Sequence, residues 1–90
     1  MKIKGLKFFS SYVNGAMAQV AENEIMEFQA VYNGITGNYS AQVITSDGRT
    51  TIGEYKKLDY ALDALDTVHR TLILEKLEES KQWLNWVEEW

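Results

Sequence analysis

Between Tyr39 and Tyr55 the chain alternates. Tyr39, Ala41, Val43 and Thr45 fall on one side of an extended segment, with Ser40, Gln42 and Ile44 on the other. Asp47-Gly48 offers a primed turn suited to a hairpin, and Thr50–Tyr55 returns as the partner strand. Asn14-Gly15, Asn33-Gly34 and Gly37-Asn38 are further turn pairs, because these residues tolerate positive φ. Between them the residue types predict strands at Lys2–Phe9 and Ile25–Tyr32. Tyr12–Val20 stays open between strand and helix, since Ala16-Met17-Ala18-Gln19-Val20-Ala21 also suits a helical turn.

From Leu58 the period changes. At 100° per residue, Leu58, Ala61, Leu62, Leu65, Val68, Leu72 and Ile73 fall in one stripe about 140° wide. Asp59, Asp63 and Asp66 gather on a separate face, and Asp59 sits near the helix N-terminus, where the dipole favours an acid. Trp83, Trp86, Val87 and Trp90 return to the first stripe. Lys76 and Glu79 interrupt it, and Leu74, Leu77 and Leu84 form a narrower second stripe about 120° away. Either one helix carries two apolar faces, or it kinks near Glu78-Glu79-Ser80. Unbroken from 58 to 90 it would be roughly 50 Å long, against about 25 Å for a seven- or eight-residue strand. An overhanging end would expose the indoles as a binding patch, and a break would fold them into the core. Core, an interface between identical chains and a foreign partner all remain open for Trp83, Trp86 and Trp90.

The predicted fold class is therefore α+β: an antiparallel meander sheet of three to five strands followed by a long C-terminal amphipathic helix. Residues 1–90 form one domain, strand-rich over 1–57 and helical over 58–90. A domain of this size buries only about 60 % of its unfolded surface.

Charge sharpens the division. The net charge is −4. The first part holds Lys2, Lys4, Lys7, Arg49, Lys56 and Lys57 against five acids. The second holds Asp59, Asp63, Asp66, Glu75, Glu78, Glu79, Glu88 and Glu89 against three bases. Such a field repels phosphate backbones and favours a basic partner surface. No apolar run approaches the 18 or so residues that span a bilayer. The apolar stretch of the basic N-terminus stops at Ser10-Ser11, too short for a secretory signal. With no cysteine there are no disulfides, which is compatible with a cytoplasmic location.

Reactive chemistry is sparse. His69 is the lone histidine, at the edge of the apolar stripe, where packing is its expected role. One histidine and no cysteine argue against zinc. Glu22, Glu24 and Glu27 lack the spacing of a calcium loop. Asp59/Asp63 and Asp63/Asp66 are neighbours on a helix surface, without a pocket to separate their pKa values. Gly34-Ile35-Thr36-Gly37-Asn38 lacks the third glycine and following helix of a dinucleotide loop. The expectation is a protein that is not an enzyme, with no catalytic residue, cofactor or metal.

Gly37-Asn38-Tyr39-Ser40-Ala41-Gln42-Val43, Asp47-Gly48-Arg49, Ile52-Gly53-Glu54-Tyr55 and Tyr60-Ala61-Leu62-Asp63-Ala64 together resemble a known arrangement. It is the sheet-plus-helix core of the DNA-binding domains of plant ethylene-response factors and phage integrase arms. The likeness covers about 30 of the 90 residues and implies a ββα shape. In type, a short acidic chain without catalytic groups also resembles phage anti-defence proteins of the anti-CRISPR kind. That resemblance implies a phage or mobile-element inhibitor that blocks a basic nucleic-acid-handling site of a host nuclease. The expected agents are Asp59, Asp63, Asp66, Glu75, Glu78, Glu79, Glu88 and Glu89. Trp83, Trp86 and Trp90 would anchor the partner or a dimer formed through the C-terminal helix. Two alternatives stand beside it: a nucleic-acid-binding ββα module using Lys2, Lys4, Lys7, Arg49, Lys56 and Lys57, and an oligomer that sequesters a small ligand.

Overall fold

The computed structural model describes residues 1–89. Its elements are β1 (Lys2–Ile3), β2 (Phe9–Val13), β3 (Ala16–Glu22), β4 (Glu27–Tyr32), β5 (Tyr39–Thr45) and β6 (Gly48–Tyr55), then α1 (Leu58–Glu79), a 3-10 segment (Lys81–Trp86) and β7 (Val87–Glu89). Strands β2 to β6 form one antiparallel sheet in chain order, a five-strand meander, while β1 and β7 pair as a separate ribbon. The class is α+β with an antiparallel sheet and one long α-helix, as the pattern predicts.

Local chemistry explains most of the turns. Asn14 and Gly15 both have positive φ, 51° and 83°, the requirement of a primed two-residue turn. They close the β2–β3 hairpin, so Tyr12–Val20 is neither one strand nor a helix. The expected primed turn at Asp47-Gly48 is different. Thr45 pairs with Gly48, so Ser46 and Asp47 are the loop residues. Neither has positive φ; only Gly48 does, at 125°. The expected first strand also breaks. Lys2–Ile3 and Phe9–Val13 belong to different sheets, and between them the Leu6 amide is drawn to the Asp66 carboxylate at 3.1 Å.

Helix α1 packs on β5, β4 and β6. Ala61, Leu65, His69 and Ile73, spaced by four, are its buried positions. Ala61 and Leu65, with His69 against Phe28, meet one face of the sheet, where Phe28, Ala30, Ala41 and Val43 are buried. Met26 joins them from the turn before β4, and Leu6, Phe8, Ile52, Leu58 and Leu72 close the margin. Ile52 is the extra residue where the β5–β6 register shifts. At neighbouring Gly53 a Cβ would come within 2.9 Å of the Tyr55 hydroxyl, so this glycine lets the Tyr55 ring lie over its own strand.

The helix ends at Glu79 rather than running or bending on to residue 90. Ser80 is extended (φ −157°, ψ 139°), and its amide still donates to the Lys76 carbonyl at 2.9 Å. Its hydroxyl then accepts from the Gln82 amide at 3.3 Å and caps the 3-10 segment. Residues 81–89 are thus not α-helical. They turn back onto the domain, and the Lys4 amide donates to the Trp86 carbonyl at 2.7 Å. At about 1.5 Å per residue, 22 residues make a helix of roughly 33 Å. No helix of the described residues is long and apolar enough to cross a membrane.

Candidate functional site

The expected acidic surface divides in two. Asp59 and Asp63 are exposed on one flank of α1, and Glu75, Glu78 and Glu79 are exposed farther along and around it. Asp66 points inward by comparison. Its Oδ1 accepts from the Leu6 amide, and its Oδ2 lies 4.0 Å from Arg70. It fastens the N-terminal segment and is less exposed than Asp59 and Asp63. Glu79 pairs with Lys76 at 3.5 Å and Glu88 with Lys2 at 3.8 Å. Among the described residues Asp59, Asp63, Glu75, Glu78 and Glu89 carry no ion pair.

Trp83 and Trp86 are not a free handle. Trp83 is 3 % exposed and packs in the core of this chain, one of the three alternatives left open for it. Trp86 is half-buried, and its indole N–H donates to Glu24 Oε2 at 3.2 Å. The Asn85 amide donates to Glu24 Oε1 at 3.0 Å. These bonds, Asn85 first and Trp86 second, hold the Glu24 carboxyl below its ordinary pKa. The missed signal is Ser80: a serine capping residues of three-fold spacing suits a 3-10 segment as well as an α-helix. Trp90 lies outside the described residues.

His69 is fully buried. Its ring meets Phe28 edge-on at 5.4 Å between centroids and Trp86 at 4.8 Å. Neither ring nitrogen has a hydrogen-bond partner among the described residues. Burial lowers its pKa from the ordinary 6.5, against a weaker upward pull from Asp66. A histidine held this way packs as an aromatic ring shielded from solvent. No three His, Asp or Glu side chains converge as metal ligands among the described residues.

The six basic residues do not all share one patch, although Lys4 and Lys7 line one cleft with Glu88. Arg49 donates to Gln29 at 2.9 Å and also to Gln42, on the sheet face away from α1. Lys2 pairs with Glu88. Lys57 lies 5.7 Å above the Tyr60 ring.

A surface that the sequence did not announce lies at the start of α1. There the helix leaves β2 and β3 uncovered, and a groove of about 580 Å³ opens on the helix side of the sheet. Ser10, Gln19 and Ala30 form its floor, and Tyr12, Met17, Tyr32, Tyr39 and Leu58 its walls. Gln19 donates to Ser10 across the floor at 2.8 Å. The Tyr32 and Tyr39 rings tilt together with centroids 5.3 Å apart. Tyr12 is 72 % exposed and Met17 66 %. Among the described residues no charged side chain lines this groove. Period-two reading could have flagged Tyr12, Met17, Tyr32 and Tyr39 as one face, had β2 and β3 been paired in register. Compared with known protein families, curated proteins and solved structures, the chain matches none.

Proposed function

We propose that this protein acts by binding and not by chemistry: it occupies a basic, nucleic-acid-handling surface of another protein, in the manner of a phage anti-defence inhibitor. The observation that carries this reading is the set of unpaired, exposed carboxylates Asp59, Asp63, Glu75 and Glu78 on the solvent side of α1. Charges left free in the monomer break no internal ion pair on meeting a partner, and they steer association with a basic groove. Asp66, Glu79 and Glu88 contribute less, since each already faces a cation or an amide of its own chain.

The test is competition. Titrated into CRISPR-effector ribonucleoproteins, the protein should displace target DNA, with an affinity that falls as salt rises. The quadruple variant Asp59→Lys, Asp63→Lys, Glu75→Lys, Glu78→Lys should lose at least about tenfold, or 1.4 kcal/mol. Competition unchanged by charge reversal, or no competition against any such effector, would refute the acidic-helix reading.

The groove supports a second reading, sequestration of a small uncharged or aromatic ligand. Its volume and its apolar walls with a polar floor are those of ligand sites. Native mass spectrometry of protein purified without denaturation should then show retained mass, and the Tyr32→Ala variant should lose it.

A further inference from the structure

The two edges of the five-strand sheet are built differently. Strand β6 carries Arg49 and Glu54 and is interrupted by the register shift at Ile52. Charges and bulges are the usual devices that stop a sheet from growing. Strand β2, Phe9-Ser10-Ser11-Tyr12-Val13, has neither. It contains no charge and no proline, and it pairs with β3 in unbroken register over all five residues. Its outer backbone groups form an open template. Phe9, 52 % exposed, and Tyr12 stand out on opposite faces of that edge.

We propose that β2 is the pairing edge of a twofold homodimer, in which β2 runs antiparallel to β2 of a second copy about Ser11. The five residues are self-complementary in this register. Phe9 lies opposite Val13 of the second copy on the face away from α1. Ser10 lies opposite its Tyr12 on the groove side, and Ser11 meets itself at the axis. Directly opposed side chains in such a pair stand about 5 Å apart and contribute roughly 0.2–1 kcal/mol each. The groove is open on its β2 side in the single chain, and the Tyr12 of the second copy sets a ring beside Ser10 and closes it. Both grooves then face the same way and join into one trough across a ten-strand sheet.

Charge favours this edge over the C-terminal helix. The acids crowd residues 58–89, where two copies of a chain of net charge −4 would repel, and β2 is neutral. The expected area is modest. Ten strand residues with two phenylalanines and two tyrosines bury on the order of 1,000 Å², the low end for specific contacts, where association is weak and transient. The proposal is independent of the acidic-helix reading, because no residue of α1 enters it except Leu58 at the groove wall.

The chain has no cysteine, so one introduced thiol reports a single contact. Ser11→Cys should oxidise to a disulfide-linked dimer, because residues opposed across such an axis have Cα atoms within disulfide reach. Asn85→Cys, exposed in the 3-10 segment and outside β2, should not. In sedimentation at tens to hundreds of micromolar the unmodified protein should be a dimer. Ser11→Lys and Ser11→Glu should each be monomers with unchanged circular dichroism, and a one-to-one mixture should recover the dimer. A protein that stays monomeric at these concentrations overturns the proposal. So does a dimer that survives both charge variants, or one whose Ser11→Cys form does not cross-link faster than Asn85→Cys.

Discussion

Two aromatic clusters sit at opposite ends of one sheet face. Phe28 and Tyr32 belong to the same strand, four residues apart and pointing the same way. Around Phe28 the chain closes: His69 meets its ring, and Trp86 meets His69. Around Tyr32 it stays open, with Tyr39, Tyr12 and Met17 on a groove that no later segment of the described residues fills. Nothing local to β4 decides this. The difference lies in where α1 and the tail are laid, which is set by residues 30 to 60 positions away. The closed end should therefore govern stability and the open end association, and substitutions at each can separate the two.

The largest effect is expected at Phe28. It is fully buried at the centre of the core, so Phe28→Ala should cost about 3–5 kcal/mol, from lost burial and from the cavity left. Small domains have only about 5–15 kcal/mol to lose. Urea unfolding should show a much earlier midpoint at unchanged slope. Trp83→Ala comes next, at about 3 kcal/mol. Here the observable matters as much as the size. If Trp83 is core, as its burial shows, the variant loses stability at every protein concentration. An interface residue would give a loss that depends on concentration.

Why the sequence foretold some of this and not the rest can be argued from the same residues. The β5–β6 hairpin was legible because Tyr39 to Thr45 alternate, and α1 because Leu58 to Ile73 keep a four-residue stripe. Strand β3 was not, because Ala18, Val20 and Ala21 are all buried and so break the alternation that marks a half-exposed strand. The tail misled for a geometric reason. Residues three apart share a side in both an α-helix and a 3-10 helix, so Trp83 and Trp86 fit either. The groove needed knowledge of register, since its walls come from four strands and the first residue of α1. The role of Asp66 depended on where Leu6 comes to rest, which no periodicity encodes.

Acid should act on the closed end in two windows. The folded-state pKa of His69 lies below its ordinary 6.5. The unfolded chain therefore takes up the proton first. This contribution is complete above pH 6.5 and is lost as pH falls from there toward the folded value, at no more than about 1.4 kcal/mol per pH unit. His69→Leu should flatten that branch of stability against pH. The Glu24 carboxyl is also depressed, from 4.5, by its bonds to Asn85 and Trp86. Its contribution is present above pH 4.5 and lost below, a separate and more acidic step. At neutral pH Glu24→Gln should cost less than about 1 kcal/mol, because the side chain is exposed and water competes for both bonds. The order of the steps is the informative part: His69→Leu should leave the Glu24 step in place.

The smallest expected change in stability belongs to the open end. Tyr12 is an exposed side chain on a strand edge, and Tyr12→Ser should shift folding by no more than about 0.5 kcal/mol. Association should respond differently. Two Tyr12–Ser10 pairs form across the twofold axis, so losing both rings removes up to about 2 kcal/mol of dimer stability at 0.2–1 kcal/mol each, or up to about thirtyfold in dissociation constant. Tyr12→Phe keeps the ring and should keep the dimer. Phe28→Ala, assayed at a temperature where it remains folded, should show the converse: weakened folding with an intact β2 edge and near-normal dimerisation. If Tyr12→Ser instead destabilised the monomer as severely as Phe28→Ala, the groove would be a core surface and the contrast between the two ends would fail.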